Sequence, residues 1–150
     1  VAILGFRGAG KAVTSFLLKN SHKSNSICLF NRTRPAKLDS NIEFKMLSKD
    51  CLEEKIPKVD LLINTTSVGS NLTKEQSPIP THLMSKIKKS AVVYDIIYDP
   101  KYTKLLEKAN ELGMKTINGL RMNIIQAVLA FRYTNETYLT QDEILQIMSE

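Results

Sequence analysis

Short apolar runs alternate along the chain with longer segments in which apolar residues recur every three or four positions. Four of these runs are rich in β-branched residues or leucine and are too short for helices: Val1–Leu4, Ser26–Phe30, Asp60–Asn64 and Ala91–Tyr94. Each of them predicts a buried strand, and Lys115–Ile117 predicts one more short strand. Strands that alternate with helices are typical of a parallel sheet with crossover helices. The predicted fold class is therefore α/β, a doubly wound and mainly parallel sheet with helices on both faces.

The segments between the strands predict helices that cover the sheet. After Gly10 the helical spacing is carried by Ala12, Val13, Phe16 and Leu17. A second helix is predicted over Tyr102–Leu112, ending at Gly113, because glycine readily adopts the left-handed conformation that closes a helix. Its predicted inner face consists of Leu105, Leu106 and Ala109.

The C-terminal part of the chain predicts two more helices. The segment from Gly119 to about Tyr133 is so apolar that we expect it to be buried. Thr140 and Glu143 have the spacing of a capping box and predict a last helix. Its apolar residues, which we expect to pack on the domain, are Ile144, Leu145 and Ile147. Residues 71–82 contain two prolines and predict one long irregular loop.

The length and composition fit a single globular domain over residues 1–150. No apolar run approaches the roughly 18 residues of a membrane span, so no membrane association is expected. The two cysteines have neither CxxC nor metal-ligand spacing. They predict free thiols in a reducing compartment, by default the cytoplasm, and no metal site. The chain begins at Val1 inside a predicted strand, so we expect a further segment to precede it.

An excess of basic residues, 21 against 15 acidic ones, gives a formal net charge of +6. Such an excess fits a nucleic acid, an anionic ligand or a solvated lysine-rich surface. The basic residues are spread over helical segments with few aromatic residues among them. No base-stacking platform is therefore predicted, and nucleic acid is not expected as a partner.

The first ten residues, VAILGFRGAG, place a glycine-rich turn between a predicted strand and a predicted helix. In a turn that binds a dinucleotide, the first glycine makes the bend and the second lets the backbone approach the pyrophosphate. The third lets the helix pack on the strand. Here these positions are Gly5, Arg7 and Gly10. The turn by itself fits a dinucleotide site and an ordinary strand–helix turn equally well.

A basic segment, NRTRPAK over residues 31–37, follows the second predicted strand. It lies about twenty residues beyond the turn, where the first ribose of a dinucleotide should lie. A carboxylate there would bind the 2′-hydroxyl of NAD and repel a 2′-phosphate. Asn31, Arg32 and Arg34, followed by Lys37, instead offer neutral and cationic donors. The segment therefore favours NADP, and the alternative is a basic loop that only faces solvent.

Five segments resemble, in this order and spacing, the C-terminal NADP-binding domain of shikimate dehydrogenase: GFRGAGKAV, NRT, DLLINTTSVGS, VVYDIIYDPKYTKLLEKANELGMKTINGLRM and QAVLAF. The resemblance runs from Val1 to about Thr134. Glutamyl-tRNA reductase shares a similar glycine turn and NRT segment, but the later motifs are similar to those of shikimate dehydrogenase only. The resemblance implies a Rossmann-like domain. It also implies reversible, NADP-dependent hydride transfer between shikimate and 3-dehydroshikimate, in aromatic amino-acid biosynthesis.

The resemblance also implies roles for individual residues. Those implied to bind the cofactor are Gly5, Phe6, Arg7, Gly8 and Ala9 at the pyrophosphate, Asn31, Arg32, Thr33 and Arg34 at the ribose phosphate, Asn64, Thr65, Thr66 and Ser67 along the cofactor, and Ile96 and Gly119 beside the nicotinamide. Tyr98 and Gln126 are implied to bind the substrate, shikimate. Without the resemblance, Tyr98 would be a tyrosine at the edge of the core and Gln126 a surface helix residue. Asn64 would equally well satisfy backbone donors at a strand end.

No catalytic residue is expected in this chain. The family is implied to draw its proton path from a lysine and an aspartate of an N-terminal substrate domain, which these 150 residues do not contain. That domain of the same protein is the expected partner, and a homodimer is left open. Arg7, Ala36 and Arg121 depart from the family pattern. They leave open a non-catalytic nucleotide-binding or regulatory module descended from the enzyme, or a quinate- or shikimate-type dehydrogenase with an altered substrate.

Overall fold

The computed structural model describes residues 1–20 and 26–148. Within them, one sheet contains six strands: β1 (Ala2–Leu4), β2 (Ile27–Asn31), β3 (Ile42–Met46), β4 (Leu61–Asn64), β5 (Val92–Asp95) and β6 (Lys115–Ile117). The α-helices of the same residues are α1 (Gly8–Asn20), α2 (Lys49–Lys55), α3 (Thr81–Met84), α4 (Lys104–Glu111), α5 (Leu120–Thr134) and α6 (Gln141–Ile147). Every strand pairing is parallel, which confirms the predicted α/β class.

The strand order is β3-β2-β1-β4-β5-β6. Strands β2 and β3 lie on one side of β1 and strands β4 to β6 on the other, so the order reverses between β1 and β4. In doubly wound sheets, ligands bind in the crevice at the carboxyl ends of the strands next to this reversal. Leu4 is in register with Phe30 of β2 and with Asn64 of β4. The residues that follow these three therefore emerge together at one edge of the sheet.

The side chains of the short strands alternate between two cores. Ala2 and Leu4 face one side of β1 and Ile3 faces the other. The larger core, which joins the sheet to α2, α3 and α4, includes Phe30, Leu62, Val93, Leu105 and Leu106. The smaller core lies under α1 and includes Ile27, Leu29 and Ile42, with the half-buried Val13 and Leu17 of the helix packed against it. Burial on both faces explains why β1 and β2 are continuous apolar runs in the sequence.

All four predicted helices, α1, α4, α5 and α6, are confirmed with small shifts of their ends. α4 buries the predicted face of Leu105, Leu106 and Ala109, and Gly113 follows the helix at a φ of +78°. Thr140 and Glu143 form the predicted capping box of α6. Only part of the predicted face of α1 packs on the sheet, because Phe16 is 64% exposed.

One strand was not predicted, and one prediction about local structure is wrong. Residues 42–46, which we did not predict as a strand, form the edge strand β3, and α2 follows it directly. The apolar positions 42, 44 and 46 alternate with Glu43 and Lys45, which is the period of a half-buried strand. Residues 71–82 are not one irregular loop, since Asn71–Thr73 form a 3-10 turn and α3 begins at Thr81.

The prediction that the long apolar helix is buried is also wrong. Val128 is the only residue of α5 that is fully buried, whereas Leu129 and Phe131 are 39% and 38% exposed. α5 packs on α6, and Tyr94 of β5 donates a hydrogen bond from its hydroxyl to Sδ of Met122 at 3.3 Å. In α6, Ile144 is buried as predicted, but Ile147 is 61% exposed. No helix in the described part of the chain combines the length and apolar character needed to cross a membrane.

Candidate functional site

The glycine turn joins β1, α1 and the loop after β4. Gly5 has a φ of +90°, a conformation that side chains strain to adopt, and its N–H donates to the carbonyl of Phe30 at 2.8 Å. A Cβ at Gly5 would lie 2.9 Å from Cγ2 of Thr66. A Cβ at Gly10 would lie 2.6 Å from the carbonyl oxygen of Gly5. The first and third glycines thus have the bending and packing roles that the sequence pattern predicts.

The start of α1 has the chemistry of an anion site. The first N–H groups of a helix lack partners within the helix, and its N-terminus carries a partial positive charge. α1 begins at Gly8 and has no acidic residue in its first turn. A Cβ at Gly8 would meet no atom within 4 Å, so the space in front of this turn is open. Phe6 is half-buried and Arg7 is exposed, so the arginine side chain stands at the mouth of the turn.

Thr65 lies beneath the turn and connects β1 with the loop that follows β4. Its N–H donates to the carbonyl of Leu4 at 2.9 Å, and its Oγ1 donates to the same carbonyl at 2.8 Å. Thr65 is only 7% exposed. It therefore shapes the turn from below, and Thr66 and Ser67 are the residues of this segment that reach the open side.

The basic segment begins at the end of β2, beside the glycine turn. Asn31 donates from Nδ2 to the carbonyl of Thr33 at 2.9 Å, which shapes the segment locally. Arg32, Thr33 and Arg34 are exposed. Cζ of Arg34 lies 5.4 Å from the ring centroid of Phe44 on β3, within range of a cation–π contact. Strand β3 thus supports a residue of the predicted site that sequence reasoning had left without a neighbour.

A pocket of about 380 Å³ opens between the loops that follow β4 and β5. It is lined by Thr66, Ser67, Ser70, Asn71, Leu72, Ile96, Ile97, Tyr98 and Asp99. Four predicted site residues, Thr66, Ser67, Ile96 and Tyr98, are therefore brought together. Nδ2 of Asn71 donates to Oδ2 of Asp99 and joins the two loops.

Gly119 lies against this pocket without lining it. Its N–H donates to the carbonyl of Ile97 at 3.0 Å, and a Cβ at Gly119 would lie 1.8 Å from the carbonyl oxygen of Ile96. Only glycine allows α5 to start this close to the loop. Gln126 lies further along α5 and is exposed, and it is not among the described residues that line the pocket.

Asn64, like Thr65, is a predicted site residue whose side chain is buried. It is fully buried, and its Nδ2 donates to Oδ1 of Asp95 at 3.0 Å. Its Oδ1 accepts from the N–H and from Oγ1 of Thr66 at 3.0 and 2.7 Å. Of the two roles that the sequence left open, the structure supports the satisfaction of strand-end donors.

Asp95 and Thr103 complete this buried group. Oγ1 of Thr103 donates to Oδ2 of Asp95 at 2.7 Å, and both residues are almost fully buried. Burial raises the pKa of the Asp95 carboxyl above its ordinary value, and the hydrogen bonds from Thr103, Ile97 and Asn64 oppose that rise. Sequence reasoning did not single out Thr103. Its place directly before a helical pattern is an N-cap signal that could have found it.

Comparison with known proteins shows which proteins this chain resembles. No protein-family model matches the chain. The shikimate dehydrogenase (NADP(+)) of Clostridium botulinum (strain Hall) is 39% identical over 130 residues, which cover 85% of this chain and 48% of that protein. The chain is homologous to the C-terminal half of shikimate dehydrogenases. It spans about half the length of the curated relatives that it matches.

Solved structures of shikimate dehydrogenases share the fold. The enzyme from Aquifex aeolicus is 35% identical and has a TM-score of 0.74, covering 99% of this chain and 52% of that one. The enzyme from Thermus thermophilus, solved in complex with NADP(H) and shikimate, is 27% identical with a TM-score of 0.71, covering 99% and 53%. The predicted family resemblance and the Rossmann-like fold are therefore confirmed.

The three departures from the shikimate dehydrogenase pattern lie on the surface. Arg7 is exposed at the glycine turn, and Ala36 is exposed in the basic segment. Arg121 is exposed in the first turn of α5, two residues after the contact between Gly119 and Ile96. None of the three disrupts the packing that forms the turn or the pocket.

Proposed function

We propose that this chain is the cofactor-binding half of an NADP-dependent shikimate dehydrogenase. The observation that carries the proposal is the meeting of the glycine turn with Thr65 and Thr66 where the strand order reverses. The open space at Gly8 and the free N–H groups of α1 fit a pyrophosphate on the segment from Gly5 to Ala9. Arg7 would add a positive charge to this site or keep the phosphates further from the backbone.

The basic segment supports NADP rather than NAD. Arg32, Thr33 and Arg34 form an exposed run beside the turn, next to the half-buried Asn31, and Phe44 provides a surface on which Arg34 stacks. Arginine donors pair well with a phosphate dianion, whereas a carboxylate in this place would repel it. The absence of a basic residue at Ala36 would then be offset by Arg34.

The pocket supports the nicotinamide and substrate end of the same site. When bound, NADP supplies the hydride acceptor, and the protein supplies binding and orientation. Thr66, Ser67 and Ile96 would line the nicotinamide position, with Gly119 holding Ile96 in place from behind. The Tyr98 hydroxyl and the Gln126 amide would bind shikimate, each from its own element.

The remaining half of the protein would supply the proton path and close the cleft over the substrate. We therefore assign no catalytic residue to this chain, and we expect the isolated 150 residues to show little or no turnover. The proposed partner is an N-terminal domain of the same protein. Cys28 and Cys51 are free thiols, which fits a reducing compartment such as the cytoplasm.

The deciding experiment uses the intact protein that contains this chain. Calorimetric titration with NADPH and NADH should give tighter binding of NADPH, and the protein should oxidise shikimate with NADP+ faster than quinate. Cofactor binding without oxidation of either acid would contradict the proposal and indicate the non-catalytic module. Faster oxidation of quinate would show that the substrate has changed.

A further inference from the structure

Three buried polar side chains form a connected group below the pocket: Asn64 at the end of β4, Asp95 at the end of β5 and Thr103 at the start of α4. Asn64 and Asp95 are 0% exposed and Thr103 is 1% exposed. Asp95 accepts from Asn64 Nδ2 at its Oδ1 (3.0 Å) and from Thr103 Oγ1 at its Oδ2 (2.7 Å). A buried carboxylate is costly unless it is well hydrogen-bonded. Asp95 meets this condition, because its two oxygens accept three hydrogen bonds, and those bonds tie it to the structure around the pocket.

The group holds the backbone of both pocket walls. Oδ1 of Asp95 also accepts from the N–H of Ile97 at 3.1 Å, so it fixes the bend between Ile96 and Tyr98. On the opposite wall, Oδ1 of Asn64 accepts from the N–H and Oγ1 of Thr66. Thr66, Ile96 and Tyr98 all line the pocket. The two walls are thus connected through one carboxylate.

Thr103 ties the same carboxylate to a rigid element. Its Oγ1 accepts from the N–H of Leu106 at 3.3 Å and caps α4. Gly69, whose φ is +105°, brings the loop after β4 against it, so that a Cβ at Gly69 would lie 3.4 Å from Cβ of Thr103. The pocket walls and the start of α4 therefore form a single hydrogen-bonded unit.

We propose that Asp95 is a positioning residue, which holds the loop of Ile96 and Tyr98 in its binding geometry with Asn64 and Thr103 as partners. The inference rests on the proposed function of the pocket. Asp95 has no exposed surface, so it acts on substrate only through the loop that it holds. Removing the Asp95 carboxylate should weaken substrate binding at Tyr98 while the protein still folds.

The substitutions separate this role from general stability. Asp95→Ala removes the acceptors of three hydrogen bonds, whereas Asp95→Asn keeps one oxygen for Asn64 and Ile97 and turns an amide donor toward Thr103. Thr103→Val removes the hydroxyl at constant volume, and Thr103→Ser keeps it. The matched control is Leu52→Ala, a truncation of a buried residue on α2 that does not line the pocket.

The experiment measures kcat and KM for shikimate in the intact protein, for each variant with and without Tyr98→Phe. We expect Asp95→Ala and Thr103→Val to raise KM roughly tenfold, and Asp95→Asn and Thr103→Ser to recover most of that loss. Leu52→Ala should lower stability without changing KM. In the Asp95→Ala background, Tyr98→Phe should have almost no further effect, because substitutions that act through the same loop are not additive.

Two other outcomes would overturn the inference, and they are distinguishable. A full Tyr98→Phe effect in the Asp95→Ala background would show that Asp95 contributes stability only, while the proposed function stands. No effect of Tyr98→Phe in the otherwise unchanged protein would overturn the proposed role of the pocket and this inference with it. Where Asp95→Ala fails to fold, the Thr103 pair provides the same comparison.

Discussion

Single residues of the candidate site fall into two groups by exposure. Arg32, Arg34 and Tyr98 are exposed and have side chains free to meet a ligand, whereas Asn64 and Thr65 are buried and shape the backbone beneath it. Substitutions in the first group should change affinity at nearly constant stability. Substitutions in the second group should change both, because a buried polar group that loses its partner costs about 1–3 kcal/mol.

Arg32→Ala tests the preference for NADPH. We expect NADPH to bind roughly ten- to a hundredfold more weakly while NADH binding barely changes, since a hydrogen bond to a charged group contributes about 1.5–3 kcal/mol. Calorimetric titration with both cofactors measures the two affinities. Lys19→Ala, at an exposed lysine in the last turn of α1, is the control for net charge. Equal weakening of both cofactors would contradict a 2′-phosphate contact.

Cys28 predicts a loss of stability in alkaline solution. Burial raises the pKa of its thiol to about 11 from the ordinary 9.0, so the unfolded chain loses this proton at lower pH than the folded protein. The contribution of the thiol is complete below pH 9 and should disappear as the pH rises through about 11.

Urea unfolding between pH 8 and pH 11 checks this prediction. The free energy of unfolding should fall less steeply with pH in Cys28→Ala than in the wild type. Leu62→Ala, a buried truncation on β4, should lower stability by the same amount at every pH. Parallel pH profiles of the wild type and Cys28→Ala would contradict the prediction.

Among the elements, the β1–turn–α1 unit contains two glycines in different surroundings, one closely packed and one facing open space. Gly10 faces the carbonyl of Gly5 and Oγ1 of Thr65 at distances that leave no room for a methyl group. Gly8, two residues earlier, faces open space. A side chain at Gly10 would therefore disturb packing, whereas a side chain at Gly8 would only occupy the open space in front of α1.

Gly10→Ala and Gly8→Ala form a matched pair for this element. Gly10→Ala should destabilise the protein by about 1–3 kcal/mol or more, because overpacking forces the helix away from the strand. Gly8→Ala should leave stability unchanged or slightly higher, since alanine is the better helix former. It should weaken NADPH binding by placing a methyl group where the pyrophosphate approaches. Urea unfolding and calorimetric titration measure the two effects, and a Gly10→Ala protein of wild-type stability would contradict the packing argument.

On the scale of the whole molecule, the sheet is well covered by α1 to α4, but α5 and α6 carry exposed apolar side chains. Leu129, Phe131, Tyr133 and Ile147 are each more than a third exposed. Large apolar patches on a protein surface mark interaction sites, and these side chains on two packed helices are candidates for one. The matched relatives are about twice as long as this chain, and we expect the N-terminal domain proposed above to cover this surface.

Phe131→Ser tests this expectation. In the isolated chain the substitution should lower the free energy of unfolding by about 1 kcal/mol, since Phe131 is 38% exposed and the rest of its ring is buried within the chain. In the intact protein it should cost more than about 2 kcal/mol, because an apolar contact with the other half is also lost. Phe16→Ser, at an exposed phenylalanine on α1, is the control and should have the same small effect in both forms. Equal effects of Phe131→Ser in both forms would contradict the docking surface.

Predictability from sequence followed the range of the interactions concerned. β1, β2, β4 and β5 were predicted to within one residue at each end, since each is a short apolar run in the sequence. β3 was missed because it is an edge strand in which apolar residues alternate with Glu43 and Lys45, and we predicted strands only from continuous apolar runs. The glycine turn and the basic segment were predicted to lie side by side, because each directly follows a strand and the order of these strands can be read from the sequence.

The amino-acid sequence by itself determined the strands and helices that depend on near neighbours and the caps at Thr140 and Gly113. It also determined the positive charge of the basic segment, which favours NADP, and the family resemblance. Only the tertiary structure decided which polar residues line the open pocket and which are buried and support the backbone. Asn64 meets Asp95 across 31 positions of sequence, and Gly119 meets Ile96 across two elements. It also decided that α5 stays partly exposed. Apolar periodicity predicts that a face will be buried, but the partner that buries it depends on contacts distant in sequence or outside these residues.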